Sequence, residues 1–228
     1  MYSIIIPIHN ETESIDCLYS ELIIVLDFLQ EEYEIIFIED GSTDNSSEKI
    51  NAIMKKDKRV NFVRFPRCQG ETFALKMGFE LAKGEIIITL DGDLQDSPFE
   101  IPYLIKKLNE GYDMVCGWRY PRKDKFVKAV NSKIGNYIFR VLTRIPLHDI
   151  SCTLRAYRNY CIKALDLNKD GHHRFIPFMA VLKNFKVAEI KVSHRPRKYG
   201  RSKYSISTKA FKAAYDFSVL FFKKKQMS

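Results

Sequence analysis

The sequence contains no uninterrupted apolar run of the roughly 18 to 20 residues needed to cross a bilayer, which confines membrane contact to the periphery. Its five cysteines, Cys17, Cys68, Cys116, Cys152 and Cys161, form no CxxC pair and have no histidine at ligand spacing. That excludes zinc-ribbon and disulfide scaffolds and predicts reduced, mostly buried thiols in a cytosolic protein. The first residues lack the basic and apolar regions of an export leader. No GxGxxG follows the first apolar run, against a dinucleotide dehydrogenase. No repeat or low-complexity linker divides the chain, so one domain with a C-terminal elaboration is expected.

What is present is an ordinary globular composition, 46% hydrophobic and 29% charged, in a chain of 228 residues long enough to bury a full core. Lys and Arg number 37 against 28 acidic residues, a formal charge of +9. Such a surface attracts nucleic acid, anionic lipid or phosphorylated substrates without choosing among them.

Short β-branched runs alternate with helical patterns in the first half, which predicts βαβ units and a mostly parallel, Rossmann-like sheet. Strands are expected at Tyr2–Ile6, Glu34–Glu39, Val60–Arg64, Glu85–Leu90 and Asp113–Cys116, and helices at Thr12–Leu29, Asp44–Lys56, Gly70–Ala82 and Pro98–Leu108. Beyond Trp118 come a basic amphipathic segment at Lys123–Leu142, a mixed stretch to Val192, a basic loop His194–Lys203 and a final helix at Ser207–Phe222.

The most informative stretch runs Ile86-Ile87-Ile88-Thr89-Leu90-Asp91-Gly92-Asp93-Leu94-Gln95-Asp96-Ser97-Pro98. Residues two apart in extended chain project to one side, so Asp91 and Asp93 can converge. Two close carboxylates call for a cation, and a hard divalent ion bridging diphosphate oxygens would neutralise a leaving nucleoside diphosphate. Asp and Gly also make ordinary turns. The functional reading is favoured by position, the carboxyl end of a central strand, where open α/β sheets bind ligands.

A second acidic place follows the second strand in Glu39-Asp40-Gly41-Ser42-Thr43-Asp44. Asp40 is expected to accept hydrogen bonds from a base or ribose, with Gly41 leaving room for a flat ring, and Asp44 to cap the next helix. Pro7 is expected to end the first strand, and His9 beyond it is given a binding role.

The segments SIIIPIHNE, IFIEDGSTDNS, QGETFALKMGFELAKGE and ITLDGDLQDSP resemble family 2 glycosyltransferases of the dolichol- or polyprenyl-phosphate sugar synthase type, over about residues 2 to 205. The resemblance implies a GT-A fold spanning 1–205, a nucleotide-sugar donor (GDP- or UDP-linked) and Mg²⁺ or Mn²⁺; the residues beyond it, 206–228, read as a basic amphipathic tail. Position by position it implies donor contacts at Pro7, His9, Glu11 and Asp40. It puts diphosphate and metal contacts at Asp91, Gly92, Asp93 and Gln95. His9 departs from the tyrosine of many relatives. Gly117-Trp118-Arg119 is similar to a segment that points to Arg119 as a phosphate-holding and catalytic arginine beside Asp93. Gly-x-Ser-Lys-Tyr in the basic loop singles out Arg197 and Lys203 for the donor phosphates. Lys128, Ser132 and Asn136 fall at acceptor-phosphate places.

A polyprenyl phosphate is already anionic and needs no strong base to attack, so the expected reaction is inverting, single-step transfer on the cytoplasmic face of a membrane. The sole tryptophan, Trp118, lies outside any Gln-x-x-Arg-Trp motif, which disfavours a processive synthase. Many relatives continue into transmembrane helices, so either a naturally short form or a separate anchoring subunit is expected. The alternatives are transfer to a soluble hydroxyl, with Asp93 or Asp96 as base, and a basic nucleic-acid-binding module. The latter leaves the clustered carboxylates unexplained, because they repel phosphate backbones.

Overall fold

The computed structural model describes residues 1–121, 140 and 146–196. Lys128, Ser132, Asn136, Arg197 and Lys203, the amphipathic segment apart from Arg140, and the C-terminal tail lie outside the described residues.

The β-branched runs form strands and the 3.6-residue patterns form helices, in the order β1 (Tyr2–Ile8), α1 (Ile15–Phe28), β2 (Tyr33–Asp40), α2 (Ser46–Lys56), β3 (Val60–Phe65), α3 (Glu71–Leu81) and β4 (Ile86–Thr89). A 3₁₀ turn at Pro98–Glu100 leads into α4 (Ile101–Leu108), followed by β5 (Met114–Arg119), β6 (Arg155–Arg158), α5 (Asn159–Lys163), a 3₁₀ turn at His172–Phe175, α6 (Ile176–Leu182) and β7 (Val187–Val192). They build one seven-stranded sheet in the order β3-β2-β1-β4-β6-β5-β7. The pairs β1/β2, β1/β4, β2/β3 and β5/β7 are parallel, and only β6 runs against its neighbours β4 and β5.

Helices cover both faces, which is why the strands read as continuous apolar runs rather than alternating ones. Ile4, Ile6 and Ile8 pack with Leu18, Leu22 and Leu104 on one face, while Ile5, Ile36 and Ile38 pack with Leu75, Phe79 and Phe178 on the other. All eight residues of β2 are buried. Helix α1 buries Ile15, Leu18, Leu22, Val25 and Leu26, one stripe at helical spacing.

Pro7 does not end β1, which continues through Ile8 paired with β2. The Leu90 amide donates to the Ile5 carbonyl at 3.3 Å, so Ile5 faces β4 and Pro7, two residues on, faces the same side beyond the last β4 partner, Thr89. A missing amide costs no ladder bond there.

Candidate active site

Parallel pairing with β1 in the centre brings the carboxyl ends of β1, β2 and β4 to one edge, so that His9, Asp40 and Asp91 leave the sheet together. After β4 the backbone is tightly held. The Ser14 hydroxyl donates to the Gly92 carbonyl at 2.6 Å, and the Gln95 amide donates to Asp93 Oδ1 at 3.0 Å. A Cβ on Gly92 would lie 2.5 Å from Ile8 Cδ1. Leu94 has φ +61°, a left-handed conformation that a branched side chain adopts only under constraint.

Four carboxylates, Asp91, Asp93, Asp96 and Glu71, are close enough here for the charges of the other three to act on Asp91. Asp93 and Asp96 are buried and Asp91 half-buried. Burial first, and then the charges of Glu71, Asp93 and Asp96, push the Asp91 carboxyl well above the usual range, against a hydrogen bond from Thr153. Burial pushes Asp96 up to about 6, with Arg119 opposing and Asp93 reinforcing the shift. Thr153 donates to Asp96 Oδ2 at 3.2 Å, while buried Oδ1 has no partner among the described residues. Glu71 Oε2 lies 3.3 Å from His173 Nε2, but burial pushes His173 down to about 4, so the imidazole is neutral at pH 7 and brings no positive charge to Glu71. Clustered carboxylates with an orphaned oxygen fit a divalent cation: Asp91, Asp93 and Gln95 offer the hard oxygen donors that Mg²⁺ and Mn²⁺ prefer.

His194, not singled out by the sequence reading, is buried against this cluster. Its Nε2 lies 3.4 Å from Gln95 Nε2, and it bridges Asp96 in the backbone. The Arg195 amide donates to the Gln95 carbonyl at 2.9 Å, and Arg195 ion-pairs with Glu21 at 2.8 Å. The start of the basic loop is therefore tied directly to the acidic turn, with the His194 imidazole against Gln95. Only its place directly after an apolar run could have pointed to it.

At the end of β2, buried Asp40 accepts the amides of Gln69 at 2.6 Å and Gly70 at 2.9 Å, and the Cys68 thiol at 3.2 Å. It thereby pins the loop before α3. The space beside Gly41 is filled by that loop, since a Cβ there would lie 2.2 Å from the Cys68 nitrogen at a φ of +66°. His9 Nδ1 sits 2.5 Å from the Asp40 carbonyl. Glu39, which the sequence left unassigned, is wholly buried and binds the Ser42 amide, the Ser47 hydroxyl and Arg64. Asp44 does receive the first amide of α2, from Ser46 at 3.0 Å, and also binds the Thr12 amide at 3.1 Å. The Asn10 amide donates to Ser42 at 3.0 Å and the Glu11 amide to Ser46 at 3.1 Å, which fixes the chain after β1.

Arg119, at the end of β5, is held by Asp149 through Nε at 2.7 Å and Nη2 at 2.9 Å, and by Ser151 at 2.8 Å. Burial works against its charge, but Asp149 outweighs it and holds the guanidinium well above its ordinary pKa. The bonds to Asp149 and Ser151 use Nε and Nη2, and none among the described residues uses Nη1. Asp149 itself is 1% exposed. It lies in the mixed stretch where periodicity carried no signal. Next to it, Trp118 stacks on His148 at 4.1 Å and Lys191 lies 5.2 Å over the indole.

A mostly parallel sheet covered on both faces, with an acidic turn at the carboxyl end of its central strands, is the architecture of GT-A glycosyltransferases. The structure superposes with TM-score 0.72 on glucosyl-3-phosphoglycerate synthase from Mycobacterium tuberculosis in complex with Mn²⁺, UDP-glucose and phosphoglyceric acid. That match has 16% identity over 99% of this chain and 80% of that one. With a mannosyltransferase from Pyrobaculum calidifontis in complex with GDP-Man and Mn²⁺ the TM-score is 0.64, at 16% identity over 87% of this chain and 58% of that one. The family model for glycosyl transferase family 2 matches residues 3–165, and the chain belongs to that family. Among curated proteins it is similar to undecaprenyl-phosphate 4-deoxy-4-formamido-L-arabinose transferases. The one from Photorhabdus laumondii is 38% identical over 89% of this chain and 62% of that protein. The one from Proteus mirabilis is 39% identical over 89% and 62%. The chain thus spans about three fifths of the length of these relatives. No helix among the described residues is long and apolar enough to cross a membrane.

Proposed function

We propose that the chain moves one sugar, with inversion, from a nucleotide diphosphate sugar to a polyprenyl phosphate, working peripherally on the cytoplasmic face of a membrane. The observation that carries this reading is the acidic turn Asp91–Asp96 beyond the carboxyl end of β4, where the charges of Glu71, Asp93 and Asp96 act on Asp91 and Asp96 Oδ1 is buried without a partner among the described residues. Identity of 38–39% to undecaprenyl-phosphate sugar transferases supports the lipid phosphate as acceptor.

In this reading Asp91, Asp93 and Gln95 hold Mg²⁺ or Mn²⁺, and the ion supplies charge neutralisation for the leaving diphosphate. Pro7, His9, Glu11, Asp40 and Gly92 line the donor place, and Arg197 and Lys203 bring cations to its phosphates. Arg119 presents Nη1 to the acceptor phosphate while Asp149 fixes the plane of its fork. Lys128, Ser132 and Asn136 extend that acceptor place, and a separate membrane-anchoring subunit is the expected further partner. The residues act chiefly by aligning two anions and suppressing their repulsion.

The deciding experiment incubates the protein with undecaprenyl phosphate in vesicles and a panel of UDP- and GDP-sugars, with Mg²⁺ or Mn²⁺, against a chelator control. Lipid-linked sugar that forms only with metal supports the reading. Product on a soluble hydroxyl acceptor alone, with none on lipid, overturns it. One observation favours that second reading: Asp96, pushed up to about 6 and bearing an orphaned oxygen, is suited to take a proton from a hydroxyl.

A further inference from the structure

At the end of β2, a ligand atom from each of His9, Asp40 and Cys68 lies within 4.8 Å of the others. They differ in softness: an imidazole, a carboxylate and a thiol. Each is positioned by its surroundings. Asp40 is buried and anchored by the Gln69 and Gly70 amides, and Cys68 is exposed with its thiol 3.2 Å from Asp40 Oδ2. His9 Nδ1 faces the Asp40 carbonyl, which only accepts, so Nδ1 carries the proton and the Nε2 lone pair is the one that can ligate. Asn10 Nδ2 lies 3.5 Å from Nε2. A carbonyl-oriented imidazole is the usual support of a histidine metal ligand.

We propose that His9, Asp40 and Cys68 form a second cation site, for a thiophilic divalent ion such as Zn²⁺, made of different residues from the oxygen-rich turn at Asp91–Gln95. Thiolate and imidazole select zinc-like ions over Mg²⁺, so the two places sort cations by ligand chemistry. On binding, the ion takes the place of the thiol proton, which leaves to solvent, so affinity rises with pH. An ion there would occupy the surface that the donor nucleotide needs at Asp40. This last consequence rests on the donor reading above; the site itself does not.

The test is a Co²⁺ titration of the metal-free full chain in excess Mg²⁺, following the thiolate-to-cobalt charge-transfer absorption, which needs no turnover. One equivalent saturating the band in the wild type and in Cys17→Ser, and loss of the band in both Cys68→Ser and His9→Gln, is the result expected. An absent band, or one that survives Cys68→Ser, overturns the site. With the band established, UDP or GDP is added. Suppression supports overlap with the donor place, whereas an unchanged band leaves the cation site standing and removes Asp40 from the nucleotide contacts.

Discussion

Asp149 grips Arg119 with both carboxylate oxygens, at 2.7 and 2.9 Å, across the gap between the end of β5 and the loop before β6. A nearly buried guanidinium is thereby fixed in plane before any substrate arrives. Asp149→Asn should destabilise the fold by about 3 kcal/mol, the scale of a broken buried pair, because a charge is left without its counter-ion. Arg119→Met combined with Asp149→Asn should cost less than the two single losses added together. Urea denaturation of the four proteins measures the cycle, and additive losses would mean that the pair is not coupled.

Asp93→Ala removes one of the clustered carboxylates. Transfer should fall at least about 100-fold, since a lost metal contact withdraws several kcal/mol from the leaving diphosphate. The thermal midpoint without metal should hold, because the removed charge repelled its neighbours. Mn²⁺ should raise the midpoint of the wild type and leave the variant unchanged. Equal Mn²⁺ stabilisation of both would take the metal away from Asp93.

His173 gives a stability signal that is separate from catalysis. Burial lowers its pKa from 6.5 to about 4, with Glu71 opposing. For a base depressed on folding, the neutral form's contribution is intact above the unfolded value and is lost as pH falls through the folded one. Stability should therefore decline between about pH 6.5 and 4 by on the order of 3 kcal/mol from this group. His173→Gln can keep the hydrogen bond to Thr72, which is 2.7 Å in the wild type. Its decline over that window should be shallower, and parallel pH profiles would reject the assignment.

Legibility followed the range of the interactions. β1 to β5 and the first four helices are local patterns, and the structure keeps them within a few residues; β1 runs on past Pro7 to Ile8, where register with a neighbouring strand decided, and β5 runs on past Cys116 to Arg119 beside β7. The acidic turn could be read because only Gly92 separates Asp91 from Asp93 in sequence. Asp149 and His194 could not: each acts through a partner 30 or more residues away, Arg119 in one case and Gln95 in the other. β6 escaped because four residues, Arg155–Arg158, include two arginines, a pattern without strand periodicity. Gly41 was assigned room for a ligand, and only the fold reveals that the Arg67–Cys68 backbone fills it.

Asp40 has two separable tasks, and substitution at neighbouring positions divides them. Its carboxylate pins the amides of Gln69 and Gly70, and in the donor reading it also meets the nucleotide. Asp40→Asn keeps one amide acceptor and loses the charge, so the Gln69–Gly70 loop should be weakened but retained. Gly41→Ala leaves Asp40 intact but drives a Cβ to 2.2 Å from the Cys68 nitrogen at a positive φ, and should displace the same loop at a cost of about 1–3 kcal/mol. Calorimetric titration with UDP and GDP separates the tasks. If Asp40 contacts the nucleotide, Asp40→Asn should lose about tenfold or more in affinity, near the 1.4 kcal/mol of one charge-assisted hydrogen bond. Transfer at saturating donor should change far less, because such a contact is made equally in the ground and transition states. Gly41→Ala should lose both stability and affinity. Nucleotide affinity unchanged in Asp40→Asn but reduced in Gly41→Ala would assign Asp40 to loop support alone.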